Sequence, residues 1–595
     1  MSDQESEDNK GALFSASRRT VIGGLTSAAA AAVAGIPGGT FAETPSPLRS
    51  AVVPPAKDWQ EVARRAKAKG YFARYQWSLI DLRGRREFPG WLGGAPEVWA
   101  YTEKMSYLEG ESVDLLVHTN TPAFDVRIVR DGEKQALAFE KSGVRGIVQK
   151  TPENASVVGC GWKPALAVST KGWAPGVYIA HFKCRDAKGA EGAGEHMFVV
   201  QSRQPGSHSK IVFVMPTSTY QAYNDWGGAN NYRSIREGLS TDVLEPRIST
   251  QRPWARGFVA LPPGAPDYLE PTTPPIGWKP AYLEVNWALA NDYSRHYVEG
   301  YANSAPKFMR WADRNGYVME YATQHDLHER PELFDAYTTM VIVGHDEYWT
   351  WEMRDTIDRF VDRGGKIARF AGNFWGQIRL ENDNKTHICY KTGGKDPVQG
   401  ARNTELGFPE ERPMASSLGV HATGYSRYGA ANPRSMGGYT VYRPWHWSFE
   451  GTDLYYGDVF GAAPLNIHGF ETDGLDYVIK KGLPYPDPDE KGVPEGLQML
   501  ALAPSVSGEV DRFKRTVPLN APLDYGRREG QEREMIEPGA DLPAGAASCG
   551  AIVYFERGKG AVYTAGSCVW VRGLEANDPM TSRITKNVLD RFSKT

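Results

Sequence analysis

At 595 residues the chain is too long for one ordinary hydrophobic core, so two or more domains are expected. It is 41% hydrophobic and 23% charged, which argues against a disordered chain. A formal charge of −3 gives no reason to expect nucleic acid or an anionic membrane as partner.

Residues 1–42 read as an export signal. Ser17-Arg18-Arg19-Thr20-Val21-Ile22 precedes a mild apolar stretch, Gly23 to Gly35, and Thr40-Phe41-Ala42 is a candidate cleavage site. The Arg18-Arg19 pair resembles a bacterial twin-arginine signal, so a periplasmic or secreted location and a mature terminus near Glu43 are expected. Such export carries folded proteins, which suits one that loads its cofactor in the cytoplasm. The blander alternative is a tail that is never removed. The stretch is too short and too rich in Ala and Gly to span a bilayer, and no other segment reaches the roughly 20 apolar residues a span needs. The cysteines, Cys160, Cys184, Cys389, Cys549 and Cys568, form no CxxC pair, which disfavours a zinc knuckle. One disulfide, Cys160 with Cys184, is compatible with export.

Residues 43–100 form an N-terminal extension, with a helix expected over Trp59 to Tyr71. From 101 to 205 the chain reads as strands. Val113, Leu115 and Val117 alternate with polar neighbours, as do Phe124, Val126 and Ile128, with Asp131-Gly132 as a turn. Val177 to Cys184 and Met197 to Val200 follow, and the spacing predicts a β-sandwich.

From 206 to 595 the pattern is α/β. Ile211 to Met215 is a short continuous apolar run, as in a buried parallel strand. A helix is predicted from about Pro306 to Asn315, ended by Gly316, then a strand Tyr317 to Tyr321 and a short helix at Pro331 to Phe334. Strand Thr338 to Val343 leads to a helix with Met353, Ile357, Phe360 and Val361 on one face, and Lys366 to Phe370 is the next strand. Alternation of this kind predicts a doubly wound parallel sheet. Between about 395 and 545 the periodicity weakens, and long loops with added strands are expected around the active face. Ala551 to Tyr554 and Ala561 to Thr564 read as a hairpin, and Ser582 to Phe592 as a closing helix.

Two strand ends carry ionisable residues: Thr219 to Gly228 after the first apolar run, and Gly344-His345-Asp346-Glu347-Tyr348-Trp349 after the second. Open α/β sheets bind ligands beyond the carboxyl ends of their strands. No Gly-x-Ser-x-Gly elbow, no cysteine at the turn 344–349 and no HExxH is present. Tyr, Glu, Asp, His and Asn remain, and they suit metal-assisted hydrolysis. A phenol with a pKa of about 10 becomes a ligand near neutral pH only against a strong Lewis acid. Ferric iron suits oxygen donors better than zinc does, and two phenolates with one carboxylate would neutralise its three charges.

These motifs resemble the large subunit of N,N-dimethylformamidase and its relatives. The likeness rests on Tyr220-Gln221-Ala222-Tyr223-Asn224-Asp225-Trp226-Gly227-Gly228 with Tyr232, on the Gly344 to Trp349 segment, and on Gly372-Asn373. It also rests on His446-Trp447-Ser448-Phe449-Glu450-Gly451-Thr452 and Gly469-Phe470-Glu471-Thr472-Asp473-Gly474. The resemblance implies a glutamine-amidotransferase-like α/β fold lacking that group's cysteine, and a mononuclear ferric iron held by two tyrosines and one glutamate. Carried across, Glu347 is the carboxylate ligand, Tyr223 one phenolate and Tyr232 the second, with Tyr220 and Tyr268 as fallbacks. Glu471 would be the general base, and His345 and Asn373 would orient water or substrate. Tyr220, Asn224, Trp226, Asp346, Tyr348 and Trp375 are expected to line the pocket. The implied activity is hydrolysis of a linear amide by iron-activated water, with a small second subunit or a homo-oligomer as partner.

Blander readings stand beside these. Tyr223 and Tyr232 also suit simple packing, Glu347 could cap the following helix, and Glu471 could serve a turn. His325-Asp326-Leu327-His328 offers metal-ligand types but reads rather as a solvated helix start, and His421, His446 and His468 as structural. A carbohydrate- or surface-binding protein, or a hydrolase of another substrate with another metal, are the rival functions.

Overall fold

Side chains that alternate in and out along a strand leave one apolar face to bury, and the first eight strands do so against each other. They are β1 (Val98–Tyr101), β2 (Ser106–Leu108), β3 (Ser112–Thr119), β4 (Ala123–Arg130), β5 (Ala136–Arg145), β6 (Pro164–Ser169), β7 (Gly176–Arg185) and β8 (Glu191–Gln201). They form one sheet ordered β1-β3-β6 and another ordered β2-β8-β7-β4-β5. Val113, Leu115 and Val117 of the first share a buried cluster with Phe124, Val126, Ile128, Phe182 and Phe198 of the second. The computed structural model describes residues 87–234, 244–262, 265–267, 287–288, 290–391, 395–405, 407–409, 411–421, 438–462, 464–469, 471–506, 508–510, 516–518 and 547–594. The export signal, the helix expected over 59–71 and Tyr268 lie outside them.

The second part is built on a nine-stranded sheet. Its strands are β9 (Ile211–Met215), β10 (Glu320–Thr323), β11 (Thr339–His345), β12 (Lys366–Gly372), β13 (Tyr439–Val441), β14 (Val459–Phe460), β15 (Gln498–Val506), β16 (Ala547–Arg557) and β17 (Gly560–Ala565). The order is β10-β9-β11-β12-β17-β16-β15-β13-β14. Neighbours from β10 to β17 run parallel, and those from β17 to β14 antiparallel. Every residue of β9 and β11 is buried, as two covered faces require.

Helices are few. They include α1 (Thr217–Tyr223), α2 (Tyr301–Arg314), α3 (Gln324–Glu329), α4 (Trp351–Asp362) and α5 (Pro579–Ser593). Thr350 caps α4 by accepting from Met353 N at 3.1 Å, and Asp578 caps α5 by accepting from Thr581 N at 2.7 Å. Among the described residues no helix is long and apolar enough to cross a membrane.

The architecture is thus a sheet-rich mixture, and several expectations need correction. The large sheet is not wholly parallel, because β13, β14 and β15 from the aperiodic 395–545 region extend its antiparallel half. These strands were illegible because two of them are only two or three residues long. Helix α2 starts at Tyr301 rather than Pro306. The start of α3 is buried rather than solvated: Asp326 accepts from Ser106 Oγ at 2.7 Å and from Gln201 Nε2 at 2.8 Å, and His325 Nδ1 lies 2.9 Å from Thr217 Oγ1. The Cys160–Cys184 disulfide that export would allow is not formed; all five cysteines are free and buried. Cys160 packs beside Trp162 and Tyr101, whereas Cys184 sits in the cluster between the two N-terminal sheets.

Candidate functional site

Three segments meet beyond the carboxyl ends of β9, β11 and β12. Helix α1 follows β9 and ends on Tyr223. The loop after it is pinned from inside by the buried Arg252, whose Nη1 donates to Ala229 O at 2.9 Å and whose Nη2 donates to Asn224 O at 2.7 Å. Asn230 ties two tyrosines to one frame, donating to Tyr223 O at 2.7 Å and accepting from Tyr232 N at 2.9 Å. The rings of Tyr223 and Tyr232 consequently stack, with centroids 4.3 Å apart.

Strand β11 delivers the facing carboxylate. Gly344 has φ +92°, and a Cβ there would fall 2.3 Å from Ser304 Oγ, so only glycine fits this turn toward the site. His345 and Glu347 then share one side of the chain, and Asp346 takes the other. Tyr223 OH donates to Glu347 Oε2 at 2.8 Å, and Tyr232 OH lies 2.8 Å from the same oxygen. Tyr232 OH is also 2.5 Å from Tyr223 OH and 2.5 Å from Tyr348 OH. One phenolic hydrogen cannot serve so many oxygens at once, and a cation among them would satisfy all of them. The donor set is hard and oxygen-only, which fits a ferric ion.

A second cluster adjoins the first through His345. Its Nε2 lies 2.6 Å from Glu471 Oε2 and 3.4 Å from Glu347 Oε2, and its Nδ1 lies 2.5 Å from Glu299 Oε2. Asn373, at the end of β12 with φ +66°, donates from Nδ2 to Glu471 Oε2 at 2.5 Å. Its Oδ1 is buried and has no hydrogen-bond partner among the described residues. Cys568 completes this corner, its sulfur within 4.8 Å of the ligand atoms of His345 and Glu471.

Charge organises the site. Burial alone would push the Glu347 carboxyl up, but the Lys391 ammonium, 3.6 Å away, and hydrogen bonds from His345 and Tyr223 hold it at about 2. Burial, and then the Glu347 and Glu471 charges, push the Tyr223 phenol well above its usual value. Burial disfavours the charged form of His345, yet its anionic neighbours, Glu471 and Glu299 among them, raise it well above the usual histidine value. Lys391 Nζ donates to Tyr348 OH and sits 4.1 Å from the Tyr232 ring centroid.

Of the residues singled out in the sequence, Tyr223, Tyr232, Glu347, Tyr348, His345, Asn373 and Glu471 converge. Trp375 stands at the margin, its ring 4.9 Å from Lys391 Nζ. Tyr220 is buried one helical turn before Tyr223, with Ser304 and His345 acting on its hydroxyl. Three expected pocket residues have other work. Asp346 is sealed against Arg369, accepting from Nε at 2.7 Å. Trp226 packs among Phe88, Trp99 and Trp162 in the core. Asn224 braces its loop, accepting from Ala255 N at 2.9 Å and donating to Pro253 O at 3.0 Å. Nor does Glu347 cap α4, a task Thr350 performs. Glu299, Lys391 and Cys568 carry no motif or periodic signal in the sequence: Glu299 ends a single 3-10 turn, Tyr297–Glu299, and the other two lie in turns.

Comparison with known proteins bears on this cluster. The family model described as N,N-dimethylformamidase beta subunit-like, C-terminal, matches residues 127–583. The N,N-dimethylformamidase beta subunits of Alcaligenes sp and Paracoccus aminophilus are 24% and 23% identical over 311 residues, an overlap covering 48% of this chain and 36% of each relative. The chain thus spans about a third of the length of these curated relatives. The sporulation control protein Spo0M of Bacillus subtilis is similar over 18% of this chain and 49% of its own, at 15% identity and a TM-score of 0.14, which carries no argument. The family match takes in both tyrosines, Glu347, His345, Asn373 and Glu471, and the chain belongs to the N,N-dimethylformamidase beta subunit-like, C-terminal family.

Proposed function

We propose that this protein is a metal-dependent hydrolase that cleaves a non-peptide carbon–nitrogen bond in a small linear amide, as the named relatives suggest. The observation that carries the reading is the buried convergence of the Tyr223 and Tyr232 hydroxyls on Glu347, beside Glu471, His345 and Asn373. Tyr223, Tyr232 and Glu347 would hold a mononuclear ferric ion, which when bound polarises a carbonyl and acidifies water.

The chain's own groups suit the remaining steps. Glu471 takes a proton from water as the water oxygen attacks the carbonyl carbon. The orphaned Asn373 Oδ1 accepts the second water hydrogen and fixes the angle of attack. His345, held by Glu299, faces the charge that develops on the carbonyl oxygen. The carbon–nitrogen bond then breaks, and the amine leaves with the proton Glu471 had taken. The scaffold for this chemistry is proposed as a β-sandwich followed by a glutamine-amidotransferase-like α/β domain. A small second subunit or a second copy of the chain is the proposed partner, since the relatives are named as beta subunits.

Elemental analysis, a visible spectrum and turnover of small formamides and acetamides test the proposal together. Iron near one equivalent and a visible ferric–phenolate band are expected. Glu471→Gln should keep both while losing about 10²–10⁴-fold in kcat, the usual worth of a positioned base. Full turnover by iron-free protein, or by the Glu471 variant, would overturn the reading.

Export is proposed as well, on the Arg18-Arg19 signal. Mass spectrometry of protein recovered outside the cytoplasm should show a mature terminus near Glu43. An intact Met1 on such protein would refute it.

A further inference from the structure

The active corner holds a second set of donors that the hydrolytic reading does not use as ligands. His345 Nε2, Glu471 Oε2 and Cys568 Sγ all lie within 4.8 Å of one another, and all three residues are buried. They come from three places in the chain: the end of β11, the Glu471 loop and the turn after β17. Packing fixes them together. A Cβ on Gly372, at the end of β12, would fall 2.5 Å from Glu471 O, 2.6 Å from Cys568 N and 3.0 Å from Cys568 Sγ, so the bare glycine lets both loops close on the strand. Cys568 N also donates to Glu471 O at 3.3 Å, and Thr472 bridges Ser567 in an antiparallel pair.

The chemistry of this set differs from that of its neighbour. Tyr223, Tyr232 and Glu347 offer oxygen alone and suit a hard trivalent ion, whereas one nitrogen, one oxygen and one sulfur suit a borderline dication of the zinc class. Three protein ligands with an open fourth position is a common zinc arrangement. Donors on one tetrahedral zinc lie roughly 3.3–3.6 Å apart given its usual bond lengths. The His345–Glu471 contact of 2.6 Å must therefore widen to admit the ion. A coordinating dication displaces the Cys568 thiol proton and the Nε2 proton that His345 directs at Glu471, and releases both to solvent.

We propose that His345, Glu471 and Cys568 form a second cation site that takes zinc-class dications and so switches the enzyme off. Occupancy withdraws Glu471 from water and turns His345 Nε2 away from the substrate. The binding claim stands on geometry alone; the regulatory claim rests on the hydrolase reading above.

Cobalt(II) alone, added to full-length purified protein, is the probe, because cobalt–thiolate coordination absorbs in the near ultraviolet. One equivalent and that absorption are expected in the wild type. Cys568→Ser and Cys568→Ala should both lose the band and bind cobalt at least tenfold more weakly. Their iron content and visible ferric–phenolate band should match the wild type. Zinc should inhibit the wild type at concentrations at least tenfold below those needed for either variant. Absence of the thiolate band, or its survival in both variants, would overturn the site. Equal zinc sensitivity of wild type and variants would overturn the regulation. A cobalt–thiolate band in protein that holds no iron and cleaves no amide would uphold the site while the hydrolase reading fell.

Discussion

Glu347→Gln is expected to lose iron and turnover together, with bound iron falling below a tenth of an equivalent and kcat/KM falling at least about 10³-fold. The magnitude follows from the several kcal/mol of charge stabilisation that a bound Lewis acid supplies, at 1.36 kcal/mol per tenfold. The geometry says why this residue matters more than its neighbours. Both tyrosine hydroxyls converge on its carboxylate, with His345 Nε2 3.4 Å from Oε2 and Lys391 Nζ 3.6 Å from Oε1. Glutamine keeps the shape and the packing but removes the negative charge. Tyr223 and Tyr232 are then left with no carboxylate beside them to complete three negative ligands. The buried Lys391 also loses the negative charge of Glu347 3.6 Å away, so thermal stability must be measured alongside metal content. A Glu347→Gln protein with wild-type iron and wild-type turnover would remove the basis for placing a metal at these three residues.

How much of this was legible depends on the kind of signal. The runs 211–215 and 339–343 read correctly because a strand covered on both faces must be apolar throughout. Tyr223, Glu347, His345, Asn373 and Glu471 could be named because they fall within recognisable motifs, four of them at or shortly after the end of a strand and Glu471 in a loop. Alternation along an extended chain puts His345 and Glu347 on one side and Asp346 on the other, where it meets Arg369. For Trp226, nothing local reveals that Trp99 and Trp162, distant in sequence, close over it. Lys391 sits in a segment of lysines and glycines that resembles a solvated loop, yet its side chain is fully buried. Only long-range folding brings Glu299 and Cys568 to His345, and no spacing rule encodes that.

Arg369→Met is expected to destabilise the protein by about 3–5 kcal/mol, the usual result of removing one partner from a buried ionic group. Arg369, in β12, is fully buried between two carboxylates. Asp346 accepts from its Nε at 2.7 Å and from Nη2 at 2.5 Å, and Asp473 Oδ2 lies 2.6 Å from Nη1. Burial would push the Asp346 carboxyl up, and the guanidinium opposes this without cancelling it. Methionine fills most of the volume but leaves two carboxylates facing each other in a dry interior. The effect should reach the site, because these carboxylates carry its backbone. Asp346 separates His345 from Glu347, and Asp473 accepts from Asn373 N at 2.8 Å while lying two residues beyond Glu471. One guanidinium therefore ties together the segments that bear His345, Glu347, Asn373 and Glu471. The triple variant Asp346→Asn, Arg369→Met, Asp473→Asn removes the charges together and should recover more than half of the lost stability, while turnover stays low because the backbone anchors are weakened. Urea midpoints and soluble yield of the single and triple variants measure this. A single variant as stable as the wild type would show that the buried triad is not what holds the strand ends in register.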